Sequence, residues 1–268
     1  MQKKKLPKSI TKSKPTSWGK VDDWYDDYVE DPESYHQKVV EPNLVRLVGD
    51  VADKNLLDLG CGQGYFSRMF ASKGANVSGI DISPELIEKA KERSQSVTTK
   101  HPIVYVVSGA EDLSSLVERS QDVVISVLAT QNMRELDQVF GEVRRILRSN
   151  GRLILVLNHP TFRVPQDSDW YFDQTTKKQG RVVTRYLSEA SVKIDMHPGS
   201  LQKTFTYSFH RPLQVFMKCL AKNNLAITRL EEWISHKESA NGPRKEAEDK
   251  ARKEIPLFMC IEARILVQ

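Results

Sequence analysis

Between residues 55 and 158 the chain alternates short apolar runs with segments whose apolar residues return every three or four positions. That rhythm marks strands interleaved with helices in a wound α/β domain. It predicts strands at 55–59, 76–80, 103–107, 122–128 and 152–158. A helix over 65–73 carries Phe66, Met69 and Phe70 on one face and stops at Gly74. Ser83 can cap the next helix, Pro84 suits its first position, and Leu86, Ile87 and Ala90 form its buried stripe. A third helix from Asn132 has Leu136, Val139, Phe140, Val143, Ile146 and Leu147 in register and is predicted to end at Asn150-Gly151. Parallel strands need such crossovers, and right-handed connections lay the helices on both faces of the sheet.

Two regions break this rhythm. Ahead of the sheet, Asp31-Pro32-Glu33 and Glu41-Pro42-Asn43 read as two helix starts, the second followed by Leu44, Val45, Leu47, Val48 and Val51. After the fifth strand, residues 159–212 are rich in aromatic and polar residues and read as an inserted cap. A strand pair is expected there at 182–194 and 204–209, turning at His197-Pro198-Gly199. A helix at 213–223 and strands at 225–233 and 257–267 then complete a seven-stranded, doubly wound, Rossmann-like sheet. The charged stretch 235–255 reads as a solvated loop or an exposed helix. The expected organisation is a disordered basic tail at 1–20, a helical lid at 21–52 and the sheet domain at 53–268.

Composition narrows the class. The 268 residues are 39% hydrophobic and 28% charged, ordinary for a soluble α/β protein. No run approaches the roughly 20 apolar residues that cross a bilayer, so no membrane partner is expected. Cys61, Cys219 and Cys260 are too scattered for a disulfide scaffold or a zinc site, and the N-terminus lacks an apolar signal core. A reduced, cytoplasmic setting is the expectation. The net charge of +5 needs dissection, because residues 1–20 hold seven lysines and no acid. Subtracting those seven from +5 leaves −2 for residues 21–268. A lysine tail can touch nucleic acid or anionic lipid, but a solvated leader explains it as well, so a nucleic-acid partner is not favoured.

The strongest local signal is Leu56-Leu57-Asp58-Leu59-Gly60-Cys61-Gly62-Gln63-Gly64-Tyr65-Phe66, a strand running through three glycines into a helix. Glycines let the main chain lie against a ligand, and the turn amides with the helix N-terminus favour negative groups. Twenty-one positions after Gly60 the second strand ends at Asp81, where a carboxylate can accept ribose hydroxyls. The dinucleotide fingerprint G-x-G-x-x-G would need glycine at Tyr65, so NAD is disfavoured.

Asp58-x-Gly60-x-Gly62-x-Gly64 followed by Asp81 resembles the cofactor motif of class I S-adenosylmethionine-dependent methyltransferases, in their small-molecule, type 11-like branch. The resemblance covers about 54–158, and Phe209-His210-Arg211-Pro212-Leu213 also resembles small-molecule members. It implies that the turn, Cys61 included, lies against the methionine part of S-adenosylmethionine, with Asp58 at its amino group and Asp81 at its ribose. Ile82 follows that ribose contact. The family usually has Gly-Asp-Ala after the third strand, but this chain reads Ser108-Gly109-Ala110-Glu111-Asp112. Ala110, with Glu111 or Asp112, then stands beside the adenine. Val127 and Leu128 match positions near the cofactor sulfur.

Methyl transfer from a sulfonium needs no metal, and no metal-ligand spacing is present. It does need alignment, exclusion of water and, for a neutral oxygen or nitrogen acceptor, a base. Among six histidines, His159 follows the fifth strand on the ligand edge and His210 closes the cap, so these are the candidate bases. A hydrogen-bonded loop histidine explains either equally simply. Candidate acceptor contacts are Tyr25, His36, Arg163, Tyr171 and Arg211. Arginines among aromatics suit a planar or carboxylated small molecule, and packing of the cap's own core is the alternative. The family's Asn/Asp-Pro-Pro-aromatic marker of base-amine methylation is missing; Ser126-Val127-Leu128-Ala129 stands in its place. The function expected is methylation of a small molecule, with RNA methylation or non-catalytic cofactor binding as alternatives.

Overall fold

The computed structural model describes residues 29–195 and 205–266. The lysine tail, Tyr25 and the turn at His197-Pro198-Gly199 lie outside the described residues. Seven strands form one sheet in the order β10-β11-β5-β4-β1-β2-β3. They are β1 (Asn55–Leu59), β2 (Asn76–Asp81), β3 (Val104–Val107), β4 (Gln121–Val127), β5 (Leu147–Asn158), β10 (Leu225–Trp233) and β11 (Phe258–Ile265). All neighbours pair parallel except β11, which runs antiparallel to both β5 and β10.

Side chains alternate across a strand, so a sheet covered on both faces must be apolar at successive positions. Leu56, Ile125, Ile154 and Val156 pack on one face against α1 (Glu41–Val48) and α2 (Tyr65–Ser72), whose Leu44, Val48 and Phe70 are fully buried. Leu57, Val124, Leu153 and Leu155 face the other way, toward α4 (Leu136–Ile146) and α5 (Leu213–Lys222). There Phe140, Val143 and Leu220 close the layer. Burying a side chain such as Phe70 or Phe140 stabilises by about 1.5–3 kcal/mol. The helix α3 (Pro84–Ser94) starts as expected, with Ser83 Oγ accepting from Leu86 N–H.

Several expectations are corrected. Glu41-Pro42-Asn43 opens α1 as expected, but a π turn at His36–Val40 runs directly into it. Proline has no N–H to donate and its ring crowds the carbonyl four residues back, which the wider turn relieves. Asn43 Nδ2 donates to the Val39 carbonyl at 2.9 Å, replacing part of the lost ladder. The helix expected from Asn132 begins only at Leu136, after a short turn at Thr130–Asn132. Asn150-Gly151 belongs to β5 rather than to a helix end. Leu147 pairs with Gln121 and Arg152 with Val123, so residues 148–151 bulge opposite Asp122.

The expected strand at 182–194 is two strands with different partners. Here β6 (Ser168–Asp173) and β7 (Lys178–Val183) form one hairpin, and β8 (Ala190–Asp195) pairs antiparallel with β9 (Phe205–His210) in another. The charged stretch resolves as an exposed helix, α6 (Lys245–Glu254), against the first hairpin. Arg244 stacks 4.6 Å above the Phe172 ring at that contact.

Candidate functional site

The carboxyl ends of β4, β1, β2 and β3 are adjacent in the sheet, so the loops leaving them share the edge where open α/β sheets carry their ligand crevice. At its centre the turn after β1 holds Gly60, Gly62 and Gly64 at φ of 76°, 54° and 80°. Two of these are glycine for packing. A Cβ on Gly60 would stand 2.5 Å from Ala129 Cβ, and one on Gly64 would stand 2.4 Å from Tyr105 Oη. Gly62 is different, because nothing lies within 4 Å of where its Cβ would be. Its bare main chain is the open face of the turn. Gly60 and Cys61 N–H both donate to the Ile80 carbonyl, at 2.7 and 3.0 Å, and fasten the turn to β2.

Asp81 bridges the turn and α3. Its Oδ2 accepts from Gly62 N–H and its Oδ1 from Ser83 N–H, each at 2.9 Å. A carboxylate offers about four lone-pair sites, so acceptor capacity remains for two hydroxyls. Burial holds its pKa above the usual range, against the pull of those amides. Asp58 is 2% exposed and accepts from Ser67 Oγ at 2.6 Å. Burial pushes its pKa up to about 7, and it makes no ion pair among the described residues. A buried carboxylate without a cation is a receptor for an ammonium group. Burial, with the nearby Asp58 and Asp81, also pushes the Cys61 thiol well up, which disfavours the thiolate form.

The crevice walls fit a nucleoside. Ile82 is an exposed apolar side chain at the end of β2, and Ala110 is buried beyond β3. The Glu111 carboxylate folds over Gly109, 2.6 Å from where a Cβ would stand. Leu128 closes β4 with a left-handed φ of 53°, held by a bond from its N–H to the Val156 carbonyl at 2.8 Å. The donor set therefore suits an aminoacyl nucleoside, with Asp58 for the amine and Asp81 for a sugar.

Beside this crevice, at the end of β5, a second and narrower cleft is lined by Gln131, Asn158, Arg163, Ser208, His210 and Arg211. It brings together three residues singled out from sequence: Arg163, His210 and Arg211. The loop after β4 joins the two sites. Gln131 Nε2 donates to the Leu128 carbonyl at 2.9 Å, and Ala129 packs under Gly60.

The two candidate bases differ in surroundings. His210 Nε2 donates to the Tyr186 carbonyl at 2.7 Å, which leaves the lone pair on Nδ1. Tyr186 Oη in turn accepts from Leu213 N–H, so one residue sets both His210 and the start of α5. His159 has both nitrogens engaged: Nε2 donates to Glu232 Oε1 at 2.7 Å, and Nδ1 faces the Thr161 and Phe162 amides at 3.3 and 3.4 Å. Burial lowers its pKa, opposed by Glu232.

Other candidates lie elsewhere. His36 sits against Phe66 with ring centroids 6.2 Å apart, and burial lowers its pKa to about 4. Tyr171 is 55% exposed on the first hairpin. Gln131, Asn158 and Ser208 were missed; their signal was a position just beyond, or near, the carboxyl end of a strand.

The methyltransferase-domain family model matches residues 57–155. A crystallised S-adenosylmethionine dependent methyltransferase from Mesorhizobium loti superposes with a TM-score of 0.66 at 25% identity, covering 83% of this chain and 96% of that one. The seven-stranded sheet has the Rossmann-like fold of S-adenosylmethionine-dependent methyltransferases. Among curated relatives, a malonyl-[acyl-carrier protein] O-methyltransferase of Hamiltonella defensa is 34% identical over 44% of this chain. One from Hahella chejuensis is 30% identical over 65% of it. The matches take in 43% and 61% of those relatives' own lengths. The span matched by the family model holds the glycine turn, Asp58 and Asp81 but not β10 or β11. The cap lies beyond it. Among the described residues no helix is long and apolar enough to cross a membrane.

Proposed function

We propose that the chain transfers the methyl group of S-adenosylmethionine to a small-molecule acceptor by in-line displacement. The observation that carries the reading is the pair of aspartates flanking an open glycine main chain, Asp58 buried without an ion pair among the described residues and Asp81 half-buried. When bound, the cofactor supplies a methyl group on a sulfonium, already activated toward a nucleophile. Asp58 would hold its ammonium, Asp81 its ribose, Ile82, Ala110 and Glu111 its base, and Val127 and Leu128 its sulfur side. The segment from Val29 to α1 would serve as a lid, with Tyr65 Oη bonded to Glu41 across the junction.

His210 would take the acceptor's proton at Nδ1, because the Tyr186 carbonyl fixes that nitrogen as the free base. A bond from acceptor oxygen or nitrogen to the methyl carbon forms as the carbon–sulfur bond breaks, and the electron pair stays on sulfur. His159, with both nitrogens engaged, would position the start of the cap through Glu232. The test is calorimetry with S-adenosylhomocysteine, followed by labelled-methyl transfer to a compound library. His210→Ala should lose turnover by about 10²-fold or more while keeping cofactor affinity, whereas His159→Gln should lose far less. Failure to bind S-adenosylhomocysteine, or capture of a pyrophosphate cofactor instead, would overturn the reading.

A further inference from the structure

The cleft beyond β5 holds two buried polar atoms that have no partner among the described residues: Arg211 Nη1 and Gln131 Oε1. Arg211 is 6% exposed and firmly placed, its Nη2 donating to the Met133 and Arg134 carbonyls at 2.8 and 2.6 Å. Among the described residues the acids nearest its charge are Glu189, 3.9 Å from Nε and itself 59% exposed, and the more remote Glu135. Arg163 lines the same cleft, half-buried. Its side chain makes no hydrogen bond or ion pair among the described residues, and the charge facing it includes a second guanidinium, Arg181. No aspartate or glutamate lines the cleft.

A buried guanidinium donor left without a hydrogen bond is costly to keep, and here Arg211 and Arg163 line one cleft whose lining, among the described residues, includes no carboxylate. Gln131 adds an acceptor of settled identity. Only its Nε2 can donate to the Leu128 carbonyl, so Oε1 is the atom left facing the cleft. Resting on the methyl-transfer reading of this site, we propose that the acceptor is a small carboxylic acid. Its carboxylate is anchored by Arg211 and Arg163, and a neighbouring hydrogen-bond donor meets Gln131. The carboxylate is the handle rather than the nucleophile. Charge-assisted hydrogen bonds from two guanidiniums engage its lone pairs and neutralise its charge. The methylated atom is then a second, protonated heteroatom of the same molecule, the kind of acceptor for which the His210 Nδ1 base is needed.

Protein saturated with S-adenosylhomocysteine is titrated calorimetrically with benzoate and octanoate and with their neutral amides at fixed ionic strength. At least one acid should bind about tenfold or more tightly than its amide. Arg163→Gln, which removes no contact seen within the fold, should erase that preference while S-adenosylhomocysteine affinity stays unchanged. Arg211→Gln should do the same, and Arg211→Lys, which keeps the charge, should restore part of it if the loop at 128–134 stays placed. Equal affinity for acid and amide, an acid preference untouched by Arg163→Gln, or no heat from either acid up to about 10 mM, would overturn the proposal. Failure of the cofactor reading is separately visible, because the saturation step itself would fail.

Discussion

The crevice and the cleft share one loop, yet they are built in opposite ways. The centre of the crevice comes from residues 58–83, where strand, turn, strand and helix start follow one another, and main-chain amides already hold Asp81 in place. The cleft collects Gln131, Asn158, Arg163, Ser208 and Arg211 from the ends of β4 and β5 and from the cap. Its buried donor and acceptor find no partner within the fold. Fixed main-chain geometry suits a ligand common to a whole family. Unsatisfied side chains on a cap suit a ligand that differs from one member to the next.

The largest expected effect tests whether the shared loop couples the two sites. In Gly60→Ala the new Cβ collides with Ala129 at 2.5 Å on a left-handed backbone. Overpacking and strain together should cost about 2–4 kcal/mol, read from the shift of the urea midpoint. Benzoate and cofactor binding should fall together. Losing only cofactor binding would show that the loop does not link the sites.

A smaller effect separates the two sites. Asp81→Ala should weaken S-adenosylhomocysteine by about 1.5–3 kcal/mol, roughly ten- to a hundredfold, in calorimetry. Urea stability should fall less, since only two amide bonds are lost. Unchanged affinity would remove Asp81 from the site.

Smaller still is a pH effect on Asp58. Its folded pKa of about 7 lies above that of the unfolded chain, so the protonated form stabilises the empty protein. That stability is complete below about pH 4 and is lost as pH rises to about 7. An ammonium ligand needs the ionised form, so cofactor affinity should move the other way. It should rise up to about tenfold per pH unit from pH 5 to 7. Asp58→Asn should flatten both trends, and parallel pH curves for wild type and variant would rule out the ion pair.

The least effect is expected from deleting residues 1–20. If acceptor choice belongs to the cleft, truncation should leave turnover on a small acid and its salt dependence unchanged. A steep salt dependence of RNA affinity that disappears with the tail would favour the RNA alternative instead.

Much of the crevice could be read from the chain because its parts are local. Three glycines in five residues and an aspartate at the next strand end state both the turn and the groups that face it. The cap could not be read this way. The apolar alternation of 182–194 is compatible with one strand or two, and pairing of β7 back onto β6 decides between them. Pro42 marked the start of α1 correctly, because proline favours first turns, but the π turn at His36–Val40 ahead of it left no such mark. His159 and His210 looked equivalent as histidines at the same edge. Glu232, 73 positions from one, and the Tyr186 carbonyl, 24 positions from the other, set them apart.

The order of residues by itself determined the wound sheet, the glycine turn with its two aspartates and the kind of cofactor they fit, because short-range spacing specifies each. Only the tertiary structure decided which histidine keeps a free nitrogen and which arginines come to line one cleft. Those properties depend on neighbours that folding brings from distant parts of the chain, and local pattern carries no record of them.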